Sequence, residues 1–200
     1  MKLRSITVFT PPDALQDRNS LGALAAFAET ARRTYEDTGY EVQTTRLATN
    51  FFRALDATAT VDQILEQIVR IEEAARKLGF EYLALGPAPR RTQRWIPKIL
   101  AETESIFATA NIIVPGSGQI DGLAIRNVAS IIREAASIEQ GFGNLRFAAL
   151  AHVPEGTPFF PGAYWAQAHP AFGVATQSAD LAVKACRDAQ NAAETHTLLS

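Results

Sequence analysis

The chain has 200 residues, of which 47% are hydrophobic and 20% are charged, so it is long enough to bury one substantial core. A formal net charge of −2 argues against nucleic-acid binding through overall charge, and the single cysteine excludes an intramolecular disulfide and a cysteine-ligated zinc cluster. No apolar run approaches the length of a transmembrane helix, and the first residues are typical of a strand and not of a signal peptide. We therefore expect a cytoplasmic protein that does not bind membranes.

Short β-branched segments alternate with long amphipathic segments along the chain. Strands are predicted at residues 3–9, 41–47, 80–85, 111–114, 145–150 and 171–175. Helices are predicted at residues 20–37, 61–78, about 97–108, 121–137 and 178–193. The apolar residues that we expect to point inward from the helix at 121–137 are Ile125, Val128, Ala129, Ile132 and Ala136. This alternation, with no linker, predicts a single α/β domain over residues 1–200, whose mostly parallel sheet of about six strands is covered by helices on its faces.

A long irregular segment, residues 151–170, joins the last two predicted strands. Its first fifteen residues, AHVPEGTPFFPGAYW, contain three prolines, two glycines and a group of aromatic residues. Such rigid and aromatic content favours a packed, ordered segment over a loose connection. Chemistry in parallel α/β sheets gathers on loops at the carboxyl ends of the strands, so this segment is the leading candidate for a functional site.

Five stretches of the chain carry a family resemblance. They are RSITVF at 4–9, GYEVQTTRLAT at 39–49, GFGNLRFAAL at 141–150, PEGTPFFPGAYW at 154–165 and PAFGVATQSADL at 170–181. Together they resemble the DUF711 (UPF0210) family of uncharacterised proteins. The resemblance implies a fold like part of the ten-stranded α/β barrel of the pyruvate formate-lyase-like superfamily, with this chain corresponding to an N-terminal portion of longer members.

Two features of the sequence depart from what that resemblance would suggest about chemistry. The family tends to carry a tyrosine–histidine pair where this chain has Tyr164 and Trp165, so an ionisable group is missing from the most characteristic loop. The only thiol, Cys186, falls on the last predicted helix, where we expect a small buried apolar residue and not a radical or nucleophilic group.

Six residues near this segment are candidates for a site. We predict catalytic roles for His152, Glu155 and Tyr164, and ligand binding by Asn144, Arg146 and Thr157. His152 would transfer a proton and Arg146 would bind a carboxylate or phosphate. The alternatives are structural, because His152 could bond backbone carbonyls of the turn and Arg146 could pair with an acidic side chain to hold the loop.

Other polar motifs have simpler structural explanations. The glycines at 116 and 118 could cradle a phosphate, although a plain loop before a helix cap explains them adequately. The basic cluster at residues 90–98 is more typical of a solvated loop or a subunit contact than of nucleic-acid binding. No His, Asp or Glu set has the spacing of metal ligands, and the residues identify no particular cofactor.

Two functions of different classes are consistent with these observations. The first is an enzyme of unknown reaction that acts on a small anionic metabolite at the strand carboxyl-end loops. The second is a non-catalytic binding or assembly protein that self-associates through the sheet edge or the aromatic loop. Because six strands do not close a ten-stranded barrel, exposed edges would remain, and we expect a homo-oligomer.

Overall fold

The computed structural model describes residues 2–55, 58–114 and 116–189. The strands are β1 (Lys2–Phe9), β2 (Glu41–Val42), β3 (Thr45–Ala48), β4 (Tyr82–Ala88), β5 (Ile106–Asn111), β6 (Phe147–Leu150) and β7 (Ala171–Gln177). The helices are α1 (Arg18–Asp37), α2 (Val61–Lys77), α3 (Ile96–Ala101), α4 (Gly122–Ala135) and α5 (Ala179–Asp188). Within these ranges, no helix combines the length and the hydropathy needed to cross a bilayer.

The strands form one mostly parallel sheet. β2 and β3 both pair with β1, one after the other along its length, and parallel pairing then continues through β4 and β5 to β6. β7 pairs antiparallel with the other side of β1. The result is a curled half-barrel of alternating strand–helix units, which confirms the predicted fold class.

Four helices bury their apolar faces against the same face of this sheet. The main core contains strand residues such as Val8, Leu47 and Leu83 together with helix residues such as Ile68 and Ile131. α2 begins at a capping box formed by Thr60 and Gln63, and the Asp121 carboxylate accepts the first free N–H groups of α4. The capping residues therefore fix where the helices start, and hydrophobic spacing determines the face that they bury.

The opposite face of the sheet is covered by the irregular segment and not by helices α1–α4, which differs from the expectation that helices cover its faces. Phe9, Ala48 and Ala84 from three strands pack against Ala163, with Trp165 alongside. Phe160 and Trp165 supply the bulk that a second helix layer would otherwise provide. The segment thereby occupies the inner, concave side of the half-barrel.

The boundary between α3 and β5 also differs from the prediction. α3 ends at Ala101 and β5 is Ile106–Asn111, whereas a helix to about 108 and a strand at 111–114 were expected. The buried Glu72 carboxylate accepts hydrogen bonds from the backbone N–H groups of Glu104 and Ser105, at 3.0 and 2.6 Å, which turns the chain before the strand. This long-range contact has no signature in the local apolar pattern.

α4 and α5 show two further differences. α4 buries Ala124, Val128, Ile131 and Ala135, and of the five residues expected to point inward only Val128 does so. Ile125, Ala129, Ile132 and Ala136 form a second apolar stripe, which is exposed. Cys186 is exposed and not buried, and residues 190–193 of the last predicted helix lie outside the described residues.

Candidate functional site

The irregular segment is folded tightly upon itself around Glu155. The Glu155 carboxylate accepts a hydrogen bond from the backbone N–H of Ala166 at 2.9 Å and another from the side-chain amide of Gln167. The backbone N–H of Gly156 donates to the carbonyl of Tyr164 at 3.0 Å. Glu155 thus joins the two arms of the segment, and its carboxylate is already engaged in the fold.

Tyr164 lies in the same turn and is also held internally. Its hydroxyl donates to the carbonyl of Val153 at 2.9 Å. Burial raises the pKa of the Tyr164 phenol above its ordinary value, and the negative charge of Glu155 raises it further. The structure therefore brings Glu155 and Tyr164 together, with Thr157 half-buried in the segment between them.

Aromatic contacts fix the segment to the inner face of the sheet. Trp165 stacks on Phe9 with ring centroids 5.4 Å apart, and Phe160 meets Phe107 edge-on at 5.2 Å. The Thr7 hydroxyl donates to the carbonyl of Pro158 at 3.1 Å. These contacts make the segment a rigid wall of the half-barrel.

His152 follows β6 and lies beside the glycine-containing loop. Its imidazole is exposed and its backbone has a φ of 55°, in the left-handed region that non-glycine residues rarely occupy. A Cβ atom added to Gly118 would lie 3.0 Å from the imidazole Cε1. Two motifs that are separate in the sequence, the loop at 116–118 and His152, therefore meet at the carboxyl end of the sheet.

Arg146 lies at the opposite end of β6 from His152. Its guanidinium is fully buried and donates to the carbonyls of Leu100 at 2.6 Å and Thr103 at 2.8 Å. The four extended residues of β6, which span about 13 Å, lie between Arg146 and His152. Asn144 precedes the same strand, so the structure does not bring Asn144 and Arg146 into one site with His152.

A crevice of about 750 Å³ lies at the carboxyl ends of β3, β4 and β5, and we call it the carboxyl-end crevice. Its polar lining comprises Asn50, Arg53, Arg90, Gln93, Asn111 and Asp121. The Arg90 guanidinium is 3.4 Å from the Asp121 carboxylate, which also caps α4. The lining therefore carries two positive charges and one negative charge, and because Asp121 caps α4 and pairs with Arg90, Arg53 is the cation of the lining that these contacts leave to attract a small anion.

The Gln93 side chain gives this crevice a rigid wall. It is almost fully buried, and its amide N–H groups donate to the carbonyls of Ala88 and Asn111 at 3.4 and 3.2 Å. Its carbonyl oxygen accepts from the Asn127 amide of α4 at 3.1 Å. Gln93 thus connects the ends of β4 and β5 to α4 and leaves ligand contacts to the remaining side chains.

A second cavity, of about 570 Å³, opens on the inner face at the amino ends of the same strands, and we call it the amino-end cavity. Arg4, Arg46, Tyr82, Phe107 and Phe160 line it, with the start of α5 on one side. Arg46 is half-buried, and its guanidinium carbon lies 5.6 Å from the centroid of the Tyr82 ring and 5.2 Å from that of Phe160.

A family model described as "Uncharacterised ACR (DUF711)" matches residues 1–200. The chain belongs to the DUF711 family. It is similar to a UPF0210 protein of Carboxydothermus hydrogenoformans, with 26% identity over 149 residues, which are 68% of this chain and 32% of that protein. It is also similar to a UPF0210 protein of Methanopyrus kandleri, with 27% identity over 118 residues, which are 54% of this chain and 26% of that protein. The DUF711 chain thus matches about a third or less of the length of these relatives.

Most residues of both cavities were not predicted from the sequence of this DUF711 chain. Arg4 and Arg46 lie in strands that are mostly buried, and a charged residue inside such a strand is the signal that could have identified them. Arg90 was grouped with a solvated basic cluster, and Asn111 was assigned to the start of a strand that it actually ends. In the part of the chain that the structure describes, no three His, Cys, Asp or Glu side chains are grouped as metal ligands.

Proposed function

We propose that this DUF711 chain binds a small anionic metabolite in the carboxyl-end crevice. The observation that carries the proposal is the location of Arg53 and Arg90 in one cavity at the carboxyl ends of three parallel strands. Open α/β sheets place their ligands at this end, where loops and helix N-termini meet. The Asn50 and Asn111 amides supply further donors for carboxylate or phosphate oxygens.

An enzymatic role adds His152 as the proton-transfer group at the rim of this site. His152 contacts the loop that follows Ile113 and Val114, and both of those residues line the crevice. Glu155 and Tyr164 would then position the segment instead of contacting ligand, because both are engaged within it. The support for this role is the exposed imidazole in a strained backbone conformation next to a ligand-sized cavity.

Calorimetric titration with malonate and with inorganic phosphate tests the binding proposal. We expect saturable binding that Arg90→Gln weakens about tenfold or more, since a charge-assisted bond is lost. Arg133→Gln removes an exposed charge from α4 and should leave the affinity unchanged. The proposal would be refuted if neither anion bound saturably, or if the two substitutions changed the affinity equally.

A second candidate function, self-association, is favoured by the exposed apolar stripe of α4 next to an unpaired strand. Among the described strands, β6 pairs only with β5, and Ile125 and Ile132 are 42% and 48% exposed. A second copy, or further strands of a barrel like that of the pyruvate formate-lyase superfamily, would cover this edge. Sedimentation velocity at micromolar concentration should show a homo-oligomer that Ile132→Glu dissociates, and a monomeric wild-type protein would contradict this function.

A further inference from the structure

The amino-end cavity contains two arginines that face aromatic side chains. Arg46 comes from the start of β3 and Arg4 from the start of β1, on neighbouring parallel strands. Tyr82 and Phe107 supply one apolar wall from β4 and β5, and Phe160 supplies another from the irregular segment. The cavity therefore combines strong positive charge with flat apolar surface.

Hydrogen bonding holds the Arg46 guanidinium in one orientation. Its Nε donates to the Thr44 hydroxyl at 2.9 Å, and that hydroxyl donates to the backbone carbonyl of Arg4 at 2.8 Å. The rings of Tyr82 and Phe160 restrict the guanidinium further. Among the described residues, no acceptor is bonded to the two terminal nitrogens of Arg46, which leaves a pre-oriented pair of donors for a ligand.

Among the described residues, no carboxylate lines this cavity or forms an ion pair with Arg4 or Arg46. Glu81 is the acidic residue that acts on Arg46, but its carboxylate is bonded to the Thr45 hydroxyl at 3.1 Å, to the Thr45 backbone N–H and to Arg32 at 3.2 Å. Burial lowers the pKa of Arg46, and the charge of Arg4 lowers it further. A half-buried guanidinium near a second cation carries a desolvation and repulsion cost that a bound anion would offset.

We propose that the amino-end cavity binds an organic oxyanion, a carboxylate or phosphate carried on a flat apolar group. The two guanidinium groups would take the oxygens, and the aromatic walls would stack on the apolar group. Ser178 and Ala179 at the start of α5 also line the cavity, so the positive end of that helix adds to the attraction for an anion. Asp180, the acidic residue of the same turn, is not among the lining residues. A cavity of about 570 Å³ is large enough for a single aromatic ring with its anionic substituent.

Calorimetric titration of the whole chain with four probes tests this inference. The probes are phenyl phosphate, benzoate, inorganic phosphate and benzyl alcohol. We expect at least one of the two aryl oxyanions to bind saturably and about tenfold more tightly than both inorganic phosphate and benzyl alcohol. Inorganic phosphate lacks the apolar ring, and benzyl alcohol lacks the oxyanion. The comparison of phenyl phosphate with benzoate determines which oxyanion the site prefers.

Matched substitutions locate the binding and separate it from the carboxyl-end crevice. Arg46→Gln and Arg4→Gln should each weaken binding of the preferred aryl oxyanion about tenfold or more, whereas Arg90→Gln and Arg133→Gln should leave it within about twofold. Arg4 is exposed, so Arg4→Gln retains the fold even if Arg46→Gln does not, and circular dichroism checks both. Failure of both aryl oxyanions to bind, or a loss caused by Arg90→Gln and not by Arg4→Gln, would overturn the proposal.

Discussion

Replacing Arg146 with methionine should destabilise the fold without acting on either cavity. The guanidinium donates to the carbonyls of Leu100 and Thr103, at 2.6 and 2.8 Å, and more weakly to Ile106 at 3.4 Å. These carbonyls lie at the end of α3 and the start of β5, so one buried side chain connects the helix, the turn and the neighbouring strand. Methionine fills similar volume but donates no hydrogen bond.

The loss can be estimated from the two short hydrogen bonds. Each buried carbonyl left without a donor costs about 1–2 kcal/mol, which gives about 3 kcal/mol in total. Removal of a buried charge offsets part of this loss, because the guanidinium no longer has to be desolvated. For a chain of this size, the estimate corresponds to a decrease in Tm of about 6–12 °C.

Urea unfolding followed by circular dichroism measures this change in the free energy of unfolding. Arg133→Met serves as the matched control, since Arg133 is exposed on α4 and should change stability by less than about 0.5 kcal/mol. A loss below about 1 kcal/mol in Arg146→Met would refute the structural role. Abolished anion binding with unchanged stability would instead support the ligand-binding role predicted from the sequence.

Three further predictions concern other buried or strained positions. Glu72→Ala should reduce the free energy of unfolding in urea by about 2–3 kcal/mol, because Ser105 loses its hydrogen bonds to the carboxylate at 2.6 and 2.7 Å. Glu72→Gln should reduce it by less. Gly86→Ala should reduce the free energy of unfolding by about 3 kcal/mol, and Gly39→Ala by about 1 kcal/mol. Both glycines have positive φ, but of the two only Gly86 would place the new Cβ 2.7 Å from a backbone oxygen, so equal losses in urea unfolding would contradict this prediction. Ultraviolet absorbance followed against pH in the wild type and in Tyr164→Phe isolates the Tyr164 phenol as the difference between the two curves. That phenol should ionise above pH 10, which is the ordinary pKa of tyrosine. Because folding raises this pKa, its contribution to stability is fully present below about pH 10 and is lost as the pH rises through the folded value.

Local patterns in the sequence were sufficient to predict most of the fold. The apolar stripe from Ile64 to Ala75 and the capping residue Thr60 predicted α2 nearly to its ends. The alternation of strands with helices predicted the parallel sheet, because near-continuous apolar strands joined by helices are typical of parallel sheets. Where the pattern was ambiguous, as in α4 with two apolar stripes, spacing alone could not determine which stripe faces the core.

The candidate site was less predictable because it depends on contacts between distant residues. His152, Glu155 and Tyr164 were selected from one segment, and the structure shows the last two engaged within it. Arg146 was assigned to the same site from its closeness in sequence to His152, but a strand carries the two side chains to opposite ends of the sheet. Arg46 forms its cavity with residues of other strands, and only the tertiary pairing brings these together.

A crystal structure of the protein soaked with a mixture of small anionic metabolites is the most direct test of the proposed function. We expect a ligand in the carboxyl-end crevice, with carboxylate or phosphate oxygens within hydrogen-bond distance of the Arg90 guanidinium and the Asn111 amide. A crevice without ligand at concentrations that saturate binding in solution, or one whose bound molecule contacts neither side chain, would contradict it.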